Sequence, residues 1–143
     1  MIIVASQRSG GQALARHLMN ADDNEHVTVH DIRGTVSETV AGAFKEMQAV
    51  AKGTKCKKYL LSVSLNPPAN EIVDISVFDN AIERIEAELG LKGQPRAVVL
   101  HEKDARRHCH CVWSRIDGEN MKAIKFDYFK KRLNGIAKEL YLE

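Results

Sequence analysis

Three histidines within ten residues form the part of this sequence best suited to chemistry. His101, His108 and His110 lie in the stretch HEKDARRHCHCVWS, which covers residues 101–114. Side chains alternate between the two faces of a β-strand, so His108 and His110 point the same way if this stretch is extended. His101 ends the apolar run RAVVLH, and the six mostly polar residues before HCH are typical of a β-hairpin. We therefore expect three imidazoles to converge on one face of the hairpin.

A divalent metal ion is the partner that such a cluster predicts. Three neutral imidazole nitrogens leave coordination positions open for water or substrate, which favours a catalytic over a structural site. The ligand type alone does not choose between zinc, manganese, magnesium, cobalt and nickel. Cys109 and Cys111 alternate with the histidines and fall on the opposite face with Trp113. We expect these cysteines to be small core residues rather than ligands.

The elements that must position this hairpin follow the predicted order β-α-β-α-β-α-β-β-α. Because the hairpin requires antiparallel pairing, we predict an α+β fold with a central, mainly antiparallel sheet. Helices are expected on one face of the sheet, with the metal and substrate site on the other. Thr35 and Glu38 match a capping box that would open the second helix, and Gly90 would end the third.

Length and composition limit the class of protein. The 143 residues suffice for one domain with a core, and we predict a single domain over residues 1–143. No apolar run approaches the roughly 18–20 residues of a membrane span, and the first residues lack the basic start of a signal peptide. The odd number of cysteines, three, argues against a disulfide framework and predicts a cytoplasmic protein. The helical pattern after residue 126 continues to the last residue without a cap, which predicts the N-terminal part of a longer protein.

Three stretches, in the same order along the chain, resemble the motifs of conjugative relaxases. The stretch HEKDARRHCHCVWSRID is similar to the third motif, YLLSVSLNPP to the second, and SQRSGGQALARHLMN to the first. Relaxases are HUH endonucleases, and this sequence resembles the group of mobilisation and T-DNA border nucleases. The resemblance implies a DNA strand transferase that nicks one strand at a specific site for plasmid or mobile-element transfer. It also implies a covalent bond between the protein and the 5′ phosphate.

The resemblance further implies a cofactor and partners. The cofactor would be a divalent metal, magnesium or manganese first, with zinc, cobalt and nickel as alternatives, bound by His101, His108 and His110. The partners would be single-stranded DNA at an origin of transfer, accessory mobilisation proteins and a secretion-system coupling protein, without membrane insertion. Five arginines are candidates for binding DNA phosphates: Arg8, Arg33, Arg106, Arg107 and Arg115.

The sequence departs from the relaxase motifs at the position of the nucleophile. The first motif of the family presents a tyrosine, and His17 stands in its place. A second candidate nucleophile is Tyr128, which begins a Y-x-x-K pattern resembling the replication-initiator branch of the same superfamily. Tyr59 is in phase with core residues of its strand and is predicted to be buried. We favour His17 over Tyr128 from the order of the motifs.

Two other functions remain open from the sequence. One is a degenerate module that binds single-stranded DNA or a mobilisation partner without nicking. The other is an unrelated metal hydrolase built on three histidines. Metal-dependent nicking of a supercoiled plasmid would separate these alternatives from a relaxase.

Overall fold

The computed structural model describes residues 1–22, 24–68 and 71–142. Across these residues the chain forms a five-stranded sheet, a small two-stranded sheet and four helices. In chain order the elements are β1 (Ile2–Arg8), α1 (Gly11–Leu18), β2 (His26–Arg33), α2 (Val40–Ala51), β3 (Leu60–Asn66), α3 (Ile75–Leu89), β4 (Arg96–Lys103), β5 (Arg106–Ser114), β6 (Ile116–Asp117), β7 (Lys122–Ala123) and α4 (Phe129–Leu142). The predicted order is confirmed, with the short β6–β7 hairpin added.

The large sheet has the strand order β1-β3-β5-β4-β2, and its neighbours pair antiparallel throughout. The α+β fold with an antiparallel central sheet is therefore confirmed. The histidine-bearing strands β4 and β5 lie inside the sheet rather than at its edges. Their connection is shorter than predicted, because only Asp104 and Ala105 separate the strands and both have positive φ angles. Positive φ at both central residues is the geometry of a tight two-residue hairpin turn.

One face of the sheet carries the cysteines and packs against α3 and α4. Cys109, Cys111 and Trp113 are fully buried in one apolar cluster with Val98 and Leu100. Helix residues complete this cluster, and they include Phe78, Ile82 and Ile85 of α3 with Leu133 and Ile136 of α4. The predicted alternation of β5 is confirmed, since the cysteines serve as core residues.

The opposite face, which carries the histidines, is also partly covered by helices. Residues of α1 and α2 pack on Leu60, Ala97, Val99 and Val112 in a second apolar cluster. The prediction of helices on one face only was therefore wrong in this detail. The physical reason is that this face is apolar at Ala97, Val99 and Val112, so it needs its own cover.

The histidine end of this face is less covered. Val4 and Ile2 of β1 lie on the same face, opposite Ser64 and Asn66 of β3, and they are 57% and 68% exposed. We call this uncovered part of the sheet, which contains Ile2, Val4, Ser64 and Asn66, the open strip. It begins where α1 ends, beside the histidines.

The start of α2 differs from the predicted capping box. Thr39, not Thr35, caps the helix, and its hydroxyl oxygen accepts a hydrogen bond from the Gly42 backbone N–H at 3.1 Å. The Thr35 hydroxyl donates instead to the backbone carbonyl of Ser37. The predicted end of α3 is confirmed, because Gly90 adopts the left-handed conformation with φ of 72°.

Candidate active site

The three predicted histidines meet on the inner strands of the sheet. His101 on β4 lies directly opposite His108 on β5, and His110 lies opposite Val99 on the same face. The ring centroids of His101 and His110 are 4.5 Å apart. His101 is only 6% exposed, whereas His108 and His110 are half-buried. The hairpin register therefore brings together the residues that the sequence analysis placed in one cluster.

The hydrogen bond of His101 fixes which of its ring nitrogens is free. Its Nε2 lies 2.5 Å from the backbone carbonyl oxygen of Leu18, the last residue of α1. A carbonyl can only accept, so Nε2 carries the proton and Nδ1 keeps the lone pair of a neutral ring. The same bond ties the C-terminal end of α1 to the middle of the histidine cluster.

Asn66 holds His108 in the same manner from β3. Its side-chain oxygen accepts a hydrogen bond from Nδ1 of His108 at 3.0 Å. The Asn66 amide nitrogen donates to the backbone carbonyl of Ile2 at 3.2 Å and to the hydroxyl of Ser64 at 3.1 Å. Asn66 is thus fixed at both ends of its amide, and it leaves Nε2 of His108 free.

The sequence analysis missed Asn66 as a site residue. The available signal was strand alternation, because Asn66 is in phase with Ser62 and Ser64 on β3. Three polar side chains on one face of an otherwise apolar strand mark a face that is not simply core.

Burial keeps the imidazoles of the β5 pair neutral. Burial, followed by the charges of His101, His17 and His108, lowers the pKa of His110 to about 4. Burial, Arg106 and His101 also lower the pKa of His108. Neutral imidazole is the form that ligates metal ions, so the surroundings of both side chains favour the ligating state at physiological pH.

The low pKa of His110 predicts a specific dependence of stability on pH. The unfolded chain binds a proton on this residue near pH 6.5, whereas the folded protein resists it until about pH 4. The stabilisation is therefore complete above pH 6.5 and is lost as the pH falls towards 4. We expect His110→Gln to lose less unfolding free energy than the wild type between pH 7.5 and 4.5, measured by urea denaturation in EDTA. His26→Gln, at an exposed strand position, is the matched control; equal losses in wild type and His110→Gln would contradict this account.

The donor set of the cluster fits a metal ion. Among the described residues, no three His, Cys, Asp or Glu side chains already stand at the spacing that would hold one. The chemistry of the histidines nevertheless suits ligands, because each of His101 and His108 gives one nitrogen to a carbonyl or amide oxygen and keeps the other. This pairing is how proteins orient metal-ligating imidazoles.

His17 lies beside this cluster. It is exposed on α1, while Leu14, Ala15 and Leu18 anchor the helix to the sheet. Its charge is among those that lower the pKa of His110, so the two imidazoles are within electrostatic reach. Helix α1 therefore presents His17 at the edge of the histidine face.

The two tyrosines weighed as nucleophiles lie elsewhere. Tyr128 is 81% exposed and directly precedes α4, whose Leu133 and Ile136 pack on the cysteine face of the sheet. The structure does not bring Tyr128 together with the histidines. Tyr59 is buried, as predicted, and burial raises the pKa of its hydroxyl.

The five candidate arginines separate into two groups. Arg8 and Arg106 are exposed, at the end of β1 and at the start of β5. Arg107 is partly buried and bonds to the carboxylate of Glu102 and the backbone carbonyl of Val73. Of these three, Arg106 is in phase with His108, whereas Arg107 is in phase with Cys109 on the opposite face.

Arg33 and Arg115 have structural partners inside the protein. Arg33 forms an ion pair of 2.6 Å with the buried carboxylate of Glu86, which also accepts hydrogen bonds from Arg96 and Trp113. Burial alone would raise the pKa of Glu86, but the hydrogen bonds from Trp113 and Arg33 hold it below its usual value. Arg115 donates to the backbone carbonyls of Lys58 and Ile124. We do not include these two arginines in the DNA surface around the histidines.

Together, the fold and the site define a class of α+β domain with a histidine–hydrophobe–histidine pair on an inner strand of an antiparallel sheet. A model of the family Relaxase, MobA/VirD2-like, nuclease domain matches residues 16–143. The chain belongs to this relaxase family, and its general function is that of a DNA-nicking nuclease. No curated protein matches the chain significantly. In the described residues, no helix combines the length and the apolar character needed to cross a membrane.

Proposed function

We propose that this chain nicks one DNA strand at an origin of transfer by metal-dependent transesterification, with His17 as the nucleophile. The observation that carries the proposal is the position of His17 on α1, next to Leu18, whose backbone carbonyl accepts a hydrogen bond from His101. Tyr128, by contrast, precedes a helix that packs on the opposite face of the sheet.

The proposed metal ligands are His101, His108 and His110, with magnesium or manganese as the ion. A divalent ion held there would act as a Lewis acid towards the non-bridging oxygens of the scissile phosphate. Asn66 and the Leu18 carbonyl orient two of the three imidazoles from behind. Because burial lowers the pKa of His108 and His110, these two imidazoles favour the neutral form that binds a cation.

His17 would form the covalent bond in the first step. One imidazole nitrogen attacks the phosphorus, a nitrogen–phosphorus bond forms, and the bond from phosphorus to the 3′ oxygen breaks. The proton lost from the second imidazole nitrogen balances the proton that the 3′ oxygen takes up. The protein then carries the 5′ phosphate, and attack by a 3′ hydroxyl reverses the step and rejoins the strand.

The open strip of the sheet is the proposed path of the single strand. Ile2 and Val4 offer apolar surface to bases, and Ser64 lies opposite Val4 on the same face. Arg106, which is exposed and in phase with His108, is the arginine proposed to contact phosphates near this histidine. Accessory mobilisation proteins and a secretion-system coupling protein remain proposed partners.

The experiment that tests this function uses a supercoiled plasmid carrying the DNA that flanks the gene for this chain. With magnesium or manganese we expect open circles with protein attached to the 5′ end, and with EDTA we expect none. A shift of DNA mobility without any nicking would instead support the binding-only module. Cleavage that leaves free 5′ phosphates would support a hydrolase.

A further inference from the structure

Two lysine-rich segments that are distant in sequence meet at the end of the sheet opposite the β4–β5 turn. One segment, residues 52–58, follows α2, and the other, residues 122–125, contains β7. They enclose a cavity of about 760 Å³ whose cationic lining consists of Lys52, Lys55, Arg115, Lys122 and Lys125. Within the described part of the chain, neither a carboxylate nor an aromatic ring lines this cavity.

Arg115 holds the two segments in place. Its guanidinium donates to the backbone carbonyl of Lys58 at 2.9 Å and to that of Ile124 at 3.3 Å. It also stacks on Phe126, with 4.9 Å between the guanidinium carbon and the ring centroid. Its Nε is buried and has no hydrogen-bond partner among the described residues. The lysines therefore project from a fixed frame, which contains one unsatisfied cationic donor.

One carboxylate beside the cavity offsets part of its charge. Asp117 lies opposite Lys122 in the β6–β7 hairpin and interacts with the charge of this lysine, and it also accepts hydrogen bonds from the side chain of Asn120 and the backbone N–H of Glu119. Lys55 and Lys125 are exposed and form no ion pair with described residues. The lysines and Arg115 that line the cavity thus concentrate positive charge in one place on a protein whose net charge is only +2.

The cavity lies at the end of the sheet, between its two layers, because Phe126 beside Arg115 belongs to the α3–α4 cluster whereas other neighbours pack on the α1–α2 side. Ile116 is buried in the α1–α2 cluster, and Cys56 and Ala123 pack against that cluster. Arg115 follows β5, five residues beyond His110, which corresponds to about 17 Å at the usual rise of a strand. Because α1 and α2 cover the sheet between the histidines and this cavity, a DNA strand bound at both places would pass over these helices.

We propose that the cavity is a second DNA-binding site, which takes the sugar–phosphate backbone of the substrate away from the scissile phosphate. Several lysines spread over a large cavity suit a chain of phosphates rather than a single one. Contacts to phosphates carry no sequence information, and among the described residues the lining offers lysines and an arginine but no ring on which a base could stack. The site is therefore expected to bind DNA irrespective of sequence. The inference rests on the proposed function only in identifying the polyanion as DNA.

Cys56 gives a direct measurement of occupancy. It lines the cavity and is partly exposed, whereas Cys109 and Cys111, the other two cysteines of the chain, are fully buried. In the folded protein, alkylation by a maleimide thus reports on Cys56 alone. We expect a mixed-sequence single strand to slow this alkylation at least severalfold and salt to remove the protection. Unchanged alkylation at a DNA concentration that saturates binding would overturn the proposal.

Paired substitutions test the charge. Lys55→Gln with Lys125→Gln should reduce the log–log salt slope of single-strand binding by about 1.4, from roughly 0.7 per lost phosphate contact. Lys130→Gln with Lys131→Gln removes the same charge from exposed positions on α4, which packs on the opposite face, and should leave the slope unchanged. Equal losses from the two pairs would show that the cavity has no special role.

Two further probes identify the occupant. Protection of Cys56 by inorganic phosphate as strong as that by DNA would reassign the cavity to a small anion. Stronger protection by poly-glutamate would reassign it to an acidic protein. All of these measurements use His17→Ala as well as wild type, so they do not require cleavage. If the wild type does not nick DNA but DNA still protects Cys56, only the proposed chemistry is rejected. If the wild type nicks DNA but DNA does not protect Cys56, only the second site is rejected.

Discussion

His17→Ala is expected to abolish the covalent protein–DNA adduct and to reduce strand cleavage about 10³-fold or more, as loss of a covalent nucleophile does in other enzymes. The reason is that α1 places this imidazole beside His110, whereas Tyr128 belongs to the opposite layer. Gel analysis of radiolabelled single strands measures both quantities. Tyr128→Phe is the matched control and should form the adduct at the wild-type level.

The chemistry of the bond provides a second measurement on the same adduct. A histidine–phosphate bond is a phosphoramidate, and protonation of its nitrogen makes imidazole a good leaving group. The adduct should therefore decay in mild acid and survive in base, while a tyrosine ester should resist acid. Imidazole also has a free lone pair near neutral pH, since its reference pKa is about 6.5, compared with about 10 for a phenol. An acid-stable adduct that disappears in Tyr128→Phe would show that Tyr128, not His17, is the nucleophile.

His108→Ala and His110→Ala are each expected to remove bound manganese and, with it, nicking. Both side chains lie off the cysteine face, so the core that contains Cys109 and Cys111 should remain intact. Metal content after gel filtration, together with manganese titration calorimetry, measures the loss. Circular dichroism should show that both variants are folded.

Cys111→Ser is the matched control for the metal prediction. It places a hydroxyl among fully buried apolar side chains and should cost roughly 1–3 kcal/mol of unfolding free energy. Its manganese content should stay at the wild-type level, because the side chain points away from the histidines. Selective loss of metal from folded Cys111→Ser, with metal retained in His108→Ala, would show that the assignment of faces is wrong for binding.

Strand alternation explains why the histidine cluster could be predicted from the sequence. The period of two within β5 separates His108 and His110 from Cys109 and Cys111 without any knowledge of neighbouring strands. The short hairpin then sets His101 opposite His108. Both relations involve residues that are close together in the sequence, so the sequence pattern alone predicts them.

The layer to which a helix belongs depends on contacts between distant residues, and the sequence analysis could not supply them. Helices were predicted on one face only, whereas Val99 and Val112 on the histidine face are covered by α1 and α2. The partner of Arg33, Glu86, is 53 residues away. Tyr128 matched a short pattern, yet the packing of α4 decides its side of the sheet.

The hydrogen bond between His101 and the Leu18 carbonyl makes the proposed nucleophile and the proposed metal ligand mechanically dependent on each other. His17 is the residue next to Leu18, so one peptide unit separates the attacking side chain from the group that holds the ligand. Any change that shifts the end of α1, such as a smaller side chain at buried Leu14, moves both groups at once. Evolution within this helix would consequently alter metal affinity and cleavage rate as a linked pair, and seldom one without the other.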